Sequence, residues 1–143
     1  MQKQTSVTQE RSDRGRGDGV PRKQGGECKI DLGKRLVYVR FVGTLRMDDI
    51  ERYARGLLQN PIFQAEYSEI VDLTQVEELD LQSQQFLQLA DKVDPFAKES
   101  KRAFVIRDAA QEHAARLHGI LRTQNRLKVF YSLEEAERWI SSR

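Results

Sequence analysis

The chain has 143 residues, enough for one domain, and its 38% apolar and 32% charged residues are typical of a compact soluble protein. No stretch approaches the roughly 18 apolar residues that a membrane-spanning helix needs, and residues 1–10 lack the apolar segment of a secretory signal. A cytoplasmic protein is therefore predicted, and its single cysteine, Cys28, excludes an internal disulfide.

Residues 1–26 differ in composition from the rest of the chain. They carry six basic and three acidic side chains, a net charge of +3, so residues 27–143 sum to −1. Such a segment, with almost no large apolar side chain, cannot bury enough surface to offset its ordering entropy. We predict a disordered basic tail, then one domain over residues 27–143. The tail is more simply solubilising than RNA-binding, and the domain lacks the basic cluster of a specific nucleic-acid interface.

Two strands open the domain. They are predicted over residues 29–32 and 35–42, and the second run is rich in β-branched and aromatic side chains. Gly33 and Lys34, which separate them, are typical of a tight hairpin turn. Residues 28–32 would form an edge strand, so this edge could also pair with a second copy of the chain to form a homodimer.

The first helix has clear start and stop signals. Asp48 is the predicted N-cap, with Glu51 three residues later as in a capping box. Pro61 ends the helix because proline disfavours a helical predecessor. Apolar residues at helical spacing predict one buried stripe: Ile50, Tyr53, Ala54, Leu57 and Leu58.

Three more strands alternate with three more helices. Residues 68–73, 102–106 and 127–131 are short apolar runs that predict buried strands. The element order is therefore ββαβαβαβα, which implies parallel neighbours and right-handed crossovers after an antiparallel opening hairpin. The predicted fold class is α/β, a mixed five-stranded sheet with helices packed against it.

Predicted N-cap residues mark where the later helices begin. Asp80 is predicted to cap a helix over residues 81–93, Asp108 the third helix and Ser132 the last. The predicted inward residues of the third helix are Ala110, Ala114, Leu117 and Leu121. Those of the last helix are Leu133, Ala136, Trp139 and Ile140.

Four short stretches occur in the order and spacing of a known group of domains. Residues 43–50, 70–76, 102–106 and 129–140 together resemble the SpoIIAA-like domains, which are related to STAS and Sec14 domains. Because the matching positions are mostly apolar, the resemblance argues for fold more strongly than for function. It implies a non-catalytic regulatory or protein-interaction module.

The resemblance also implies a phosphorylation site that this chain lacks in its usual form. Anti-anti-sigma members of the STAS group carry an Asp-Ser-x-Gly pattern where the second helix begins. Here Asp80 matches, but Leu81 stands at the serine position and cannot be phosphorylated. Ser83, at the glycine position, or Thr74 could be a displaced site. Ser83 is more simply a polar residue in the first helical turn.

The Sec14-like side of the resemblance implies a different role, as a binding protein for a lipid-like or other small apolar or anionic ligand. In open α/β sheets, ligands lie beyond the carboxyl ends of the parallel strands. The alternative is that the arginines there are solvated or pair with neighbouring acids. The residues predicted to gather at that edge, or carried over from the family, are Asp72, Thr74, Arg107, Arg116 and Tyr131.

No pattern in the sequence specifies a reaction. His113 and His118 are five residues apart, which does not match the i, i+4 spacing of a zinc-binding helix. The glycines form neither a P-loop nor a dinucleotide-binding motif. We predict no catalytic residue, metal or cofactor. A protein partner is the first hypothesis and a small ligand the alternative.

Overall fold

The computed structural model describes residues 4–8 and 25–142, which form one six-stranded sheet with helices on both faces. The strands are β1 (Gln4–Thr8), β2 (Gly25–Asp31), β3 (Leu36–Arg46), β4 (Ser68–Asp80), β5 (Arg102–Val105) and β6 (Leu127–Phe130). The helices are α1 (Met47–Gln59), α2 (Ser83–Gln88), α3 (Ala109–Arg122) and α4 (Leu133–Ser141), and a π-helical turn, Leu89–Val93, continues α2.

The strands lie side by side in chain order. β1, β2 and β3 are antiparallel neighbours, and β3 to β6 are parallel. This arrangement confirms the predicted mixed α/β sheet, because all five predicted strands are present and a helix follows each parallel strand. The sheet therefore has one antiparallel and one parallel half.

The sixth strand, β1, lies within the segment that was predicted to be disordered. Gln4–Thr8 pairs antiparallel with β2, from Gln4 opposite Asp31 to Thr8 opposite Glu27. This pairing satisfies backbone groups that β2 would otherwise leave open, and it needs no apolar side chain. The prediction that residues 28–32 form an edge was wrong, because β2 has a neighbour on each side. The rest of the predicted tail, residues 9–24, lies outside the described residues.

The side chains of the strands point alternately to the two faces of the sheet, and the hydrophobic cluster on one face is much larger than that on the other. One face of the sheet, which we call the large face, packs against α1, α2 and α3 through buried side chains such as Val37, Val39 and Phe41. The other face carries Leu36 and a smaller cluster around α4, which contacts β4, β5 and β6. Leu133, Ala136, Trp139 and Ile140 face this cluster, as predicted for the last helix.

β4 is longer than predicted, and this lengthening shapes the large face. It pairs with β5 only from Glu69 to Asp72 but continues beside β3 to Asp80. The β3–β4 pair therefore projects beyond β5 and β6. Two register shifts interrupt the pairing, and Gly43 next to one of them has a φ of 83°, which costs glycine no steric strain.

Two of the four predicted caps are confirmed. Asp108 accepts a hydrogen bond from the backbone N–H of Gln111 at 3.0 Å, and Ser132 accepts one from Glu135 at 3.1 Å. The other two were wrong: α1 begins at Met47, before Asp48, and Asp80 is the last residue of β4. Arg46, the last residue of β3, is the N-cap of α1, and β4 extends through Asp80, so α2 begins later than predicted.

α3 faces the sheet with a different side from the one predicted. Its buried residues are Gln111, Ala115 and Gly119, one position along from the predicted stripe and therefore rotated by about 100°. Gly119 allows a close approach to β6, since a Cβ there would lie 3.1 Å from Leu127 Cδ1. On α1, Leu58 is exposed rather than buried, because the sheet contacts the side centred on Leu57.

Candidate ligand-binding site

A cavity of about 100 Å³ lies between the large face of the sheet and the helices α1, α2 and α3. Its walls are almost entirely apolar. On the strand side, the overhanging β3–β4 pair contributes Leu45, Leu73 and Leu79. On the helix side, the wall includes Ile50, Ala54, Phe86, Leu89, Ala114 and Ala115. The short α2 and the π-helical turn that follows it thus cover much of the helix side of the cavity.

A network of buried charges lies along the same cavity, centred on Arg102. The Arg102 side chain is 4% exposed; its Nε donates to Glu69 Oε1 at 2.7 Å, and Nη1 donates to Asp94 Oδ2 at 3.0 Å. Nη1 also donates to the Gln124 side chain at 2.8 Å. Tyr53 O–H donates to the second Glu69 oxygen at 2.5 Å. The guanidinium therefore joins β5 to β4, to the loop after the π-helical turn and to the end of α3.

Asp94 is the meeting point of three cationic or ionisable side chains. His118 Nε2 lies 2.7 Å from Asp94 Oδ2, and Arg122 Nε lies 3.5 Å from the same oxygen. Burial alone would raise the pKa of Asp94. The hydrogen bond with His118 and the charge of Arg102 outweigh burial and hold the pKa of this carboxyl well below its usual range. Asp94 is therefore a carboxylate in the folded protein.

Apart from His118, the formal charges of the network balance one another. Glu69 and Asp94 carry two formal negative charges, and Arg102 and Arg122 carry two positive ones. Burial lowers the pKa of Arg102, but the two adjacent carboxylates outweigh it and raise this pKa above its ordinary value. Because each charge has a partner of opposite sign, the network can lie beside an apolar cavity without an uncompensated ion.

The five predicted ligand residues lie outside this cavity, in three separate groups. Thr74 donates to Asp72 Oδ1 through its N–H at 3.0 Å and its hydroxyl at 2.7 Å. Arg116 pairs with Glu112 at 2.9 Å, and Tyr131 O–H lies 3.5 Å from the same carboxylate. Their role in binding stays a prediction.

Asp72 and Arg107 make hydrogen bonds within the fold that the sequence did not predict. Asp72 is buried and also accepts from Tyr38 O–H at 3.1 Å; burial and then the Asp72 charge raise the pKa of Tyr38 to about 12. Arg107 donates to the backbone carbonyl of Val76 at 2.8 Å, on the overhanging part of β4. Ser83 is the first residue of α2, in the first turn as predicted.

The cavity residues were missed although the sequence contained a partial signal. Glu69 occupies the same side of its strand as Val71 and Leu73, so an acidic side chain faces the core. Such a buried carboxylate requires a partner. The partner is 33 residues away, at Arg102, and strand pattern alone does not identify it.

Neither a metal-binding cluster nor a membrane-spanning helix is found in the part of the chain that the structure describes. No group of three or more His, Cys, Asp and Glu side chains is arranged to hold a metal ion there. Among the same residues, no helix is both long and apolar enough to cross a membrane.

A solved structure resembles this arrangement. It aligns with a TM-score of 0.54 and 24% sequence identity, and the alignment covers 73% of this chain and 83% of the other. That protein is an uncharacterized member of the DUF3478 family with a SpoIIAA-like fold, from Shewanella loihica PV-4. The present chain has a SpoIIAA-like fold. No protein-family model and no curated protein matches it, so the comparison concerns the SpoIIAA-like fold alone.

Replacing Arg102 tests the charge network of this SpoIIAA-like fold. Arg102→Met leaves Glu69 and Asp94 buried with fewer partners, so we expect the free energy of unfolding to fall by about 3–5 kcal/mol. Arg116→Met is the matched control, because its exposed pair with Glu112 contributes less than about 0.5 kcal/mol. Urea denaturation measures both. Equal stability of the two variants would contradict the network's role.

The lowered pKa of Asp94 predicts acid sensitivity. A carboxyl whose folded pKa lies below its unfolded value of about 3.9 stabilises the protein above that pH, and the contribution is lost as the pH falls through the folded pKa. We expect Asp94→Asn to be less stable than the wild type at pH 7 and to lose less stability below pH ~4. Asp91→Asn, at an exposed position of the π-helical turn, should keep the wild-type acid dependence in urea titrations at several pH values.

Proposed function

We propose that this chain is a non-catalytic SpoIIAA-like module that binds a small apolar ligand between the sheet and α1–α3. The observation that carries the proposal is the apolar cavity of about 100 Å³. Protein interiors are packed nearly as densely as organic crystals, so a cavity of this size departs from ordinary core packing. The solved neighbour contributes only the fold; the support for a ligand comes from the cavity itself.

The physical chemistry of the cavity favours an apolar ligand over water. A buried water needs two to four polar partners, and the cavity walls offer almost none. The cavity is partly open to solvent, so an apolar ligand could enter it and would displace water that has few hydrogen-bond partners in the walls. An apolar ligand that filled it would regain the lost dispersion contacts and remove its own surface from water.

The ionisable groups near the cavity favour binding over catalysis. Glu69, Arg102 and Asp94 hydrogen-bond to one another rather than to a common reacting point. Cys28 is buried in the same core cluster, where burial and then the charge of Glu69 raise the pKa of its thiol to about 12. A thiol with that pKa stays protonated near neutral pH and is a poor nucleophile.

Filling the cavity with a side chain tests the proposal. Ala114 lines the cavity, whereas Ala110, one turn earlier on α3, is exposed. We expect the uncharged fluorescent probe N-phenyl-1-naphthylamine to bind the wild type and Ala110→Phe equally. We expect Ala114→Phe to bind it at least about ten-fold more weakly, a loss of about 1.4 kcal/mol. Fluorescence titration gives the affinities, and circular dichroism melting verifies that both variants are folded.

Two results would contradict ligand binding in the cavity. One is a wild-type protein that binds no apolar probe. The other is a folded Ala114→Phe variant that binds the probe as tightly as the wild type, which would place the probe elsewhere on the surface.

A protein-interaction role is the second candidate, favoured by one feature of α2. Leu87 is 57% exposed, whereas its neighbour Phe86 lines the cavity. The same short helix therefore presents one apolar side chain to solvent and another to the proposed ligand. A partner that covers Leu87 would sense whether the cavity is filled, which is how a regulatory module could couple a ligand to a protein.

Charge substitution on α2 tests this second role. We expect Leu87→Glu to remove a specific partner from affinity purifications quantified by mass spectrometry, because burying the new carboxylate at the interface is unfavourable. Leu58→Glu, at the exposed end of α1, is the matched control and should retain that partner. A set of captured proteins that is the same for both variants would contradict binding through α2.

A further inference from the structure

Three basic side chains meet where β6 forms the open edge of the sheet. Lys101 and Arg126 directly precede β5 and β6, and Lys128 lies within β6. Lys128 is paired with Ala103, a member of the smaller cluster, so it lies on the face of the sheet that α4 covers. Burial and then the charges of Arg126 and Lys128 lower the pKa of Lys101, which reflects how close the three cations are. We call these three residues the basic cluster.

Trp139 of α4 lies against the basic cluster. The Nζ atoms of Lys101 and Lys128 lie 5.0 and 5.6 Å from the centroid of the Trp139 ring, within the range of cation–π interactions. The Lys101 ammonium also donates to the carbonyl oxygens of Trp139 and Ser142, at the C-terminal end of α4, at 2.7 and 2.6 Å. Lys101 is therefore held in place by the fold. Lys128 has no hydrogen-bond or ion-pair partner among the described residues.

The positive charge of the basic cluster is not balanced within the described part of the chain. Arg126 and Lys128 are exposed, and neither forms an ion pair with a described carboxylate, whereas the exposed Arg116 pairs with a neighbouring glutamate. Lys98 adds a further exposed charge nearby, because its carbonyl oxygen accepts from the N–H of Asn125. These residues come from separate segments of the chain, so the cluster is a product of the fold.

The backbone of β6 is unpaired on one side in the described sheet, since β6 is the last strand in the sheet order. The carbonyl oxygens of Arg126 and Phe130 accept hydrogen bonds from the β5 side at 2.9 and 2.8 Å. Because successive residues of a strand point their backbone groups in opposite directions, the N–H and C=O groups of Leu127 and Val129 point away from β5. Such groups are a template for pairing with another extended chain.

The charge at this edge selects its partner. Antiparallel pairing of β6 strands from two copies of the chain would bring Lys128 and Arg126 of both copies close together, and like charges on facing strands are destabilising. A nucleic acid would balance the charges but offers no strand backbone to the open N–H and C=O groups. An extended acidic peptide satisfies both requirements, since it pairs through its backbone and brings carboxylates to the cluster.

We propose that the β6 edge and the basic cluster bind an extended acidic segment of another protein, which joins the sheet as an antiparallel strand. Leu127 and Val129 pack against the core on the large face, so the residues opposite them are apolar. The residue opposite Lys128 is acidic. The recognised pattern is therefore an alternation of acidic and apolar residues. None of these β6 residues lines the cavity, so the inference does not depend on the proposed ligand.

Three synthetic peptides separate charge from backbone pairing. The probe is Glu-Val-Glu-Val-Glu, titrated into the ¹⁵N-labelled full chain at about 0.1 M salt and followed by NMR. We expect the largest amide shifts at Leu127 and Val129. Lys-Val-Lys-Val-Lys should bind at least about ten-fold more weakly because its charges are repelled. The acidic peptide methylated on every backbone nitrogen should also bind about ten-fold more weakly, because it cannot donate to β6.

Two charge reversals give matched variants. Lys128→Glu should weaken binding of the acidic peptide about ten-fold, because attraction to its carboxylates becomes repulsion. Lys34→Glu makes the same change at an exposed position in the turn between β2 and β3 and should keep the affinity within about two-fold. That turn lies three strand spacings from β6, at least about 14 Å, which exceeds the screening length of about 10 Å at this salt concentration. Amide spectra verify that both variants are folded.

Each outcome decides the inference. Shifts at Leu127 and Val129 with the expected order of affinities support it. The inference is overturned if the acidic peptide leaves these amides unchanged, or if Lys128→Glu binds it as tightly as Lys34→Glu does. Equal binding of the N-methylated peptide, or an oligothymidylate of the same charge that shifts the same amides as strongly, would show a general anion site and would also overturn it. Binding of an apolar probe in the cavity is a separate measurement, so the proposed function stands or fails independently.

Discussion

Arg102 is buried between two carboxylates that come from different parts of the chain, and the arrangement around the cavity depends on this contact. Glu69 lies beside it on β4, while Asp94 follows the π-helical turn. A buried guanidinium without partners would be strongly unfavourable, so the loop that carries Asp94 has to lie against the sheet. Gln124, which accepts from Arg102, in turn donates to the backbone carbonyls of Ala97, Lys98 and Ser100.

This contact determines where the cover of the cavity can lie. α2 and the π-helical turn end directly at Asp94, and both contribute to the cavity wall. Arg122 donates to the carbonyl oxygens of Ala90 and Phe96, which attaches the same segment to α3. π-Helical turns are rare and are often found at functional positions. Here the turn places Leu89 and Val93 over the cavity while it directs the chain towards Arg102.

The charges and the cavity are compatible because each ionised group is paired. Four ionised side chains lie within or beside the cavity wall, yet the surface that a ligand would meet is apolar. His118 differs from them, since its Nε2 completes the network while its Nδ1 is buried without a hydrogen-bond partner among the described residues. The surface of the cavity is therefore apolar although charged groups lie directly beside it.

The sequence by itself determined the alternation of strands and helices, the SpoIIAA-like fold and the caps at Asp108 and Ser132. These features follow from local periodicity and from contacts within one turn. Only the tertiary structure decided that Glu69, Asp94, Arg102 and His118 meet beside a cavity. Their meeting depends on the register of β4 with β5 and on a rotation of α3 by one residue, which the close approach of Gly119 to Leu127 permits. Because both depend on packing between distant segments, no local pattern in the chain could specify them.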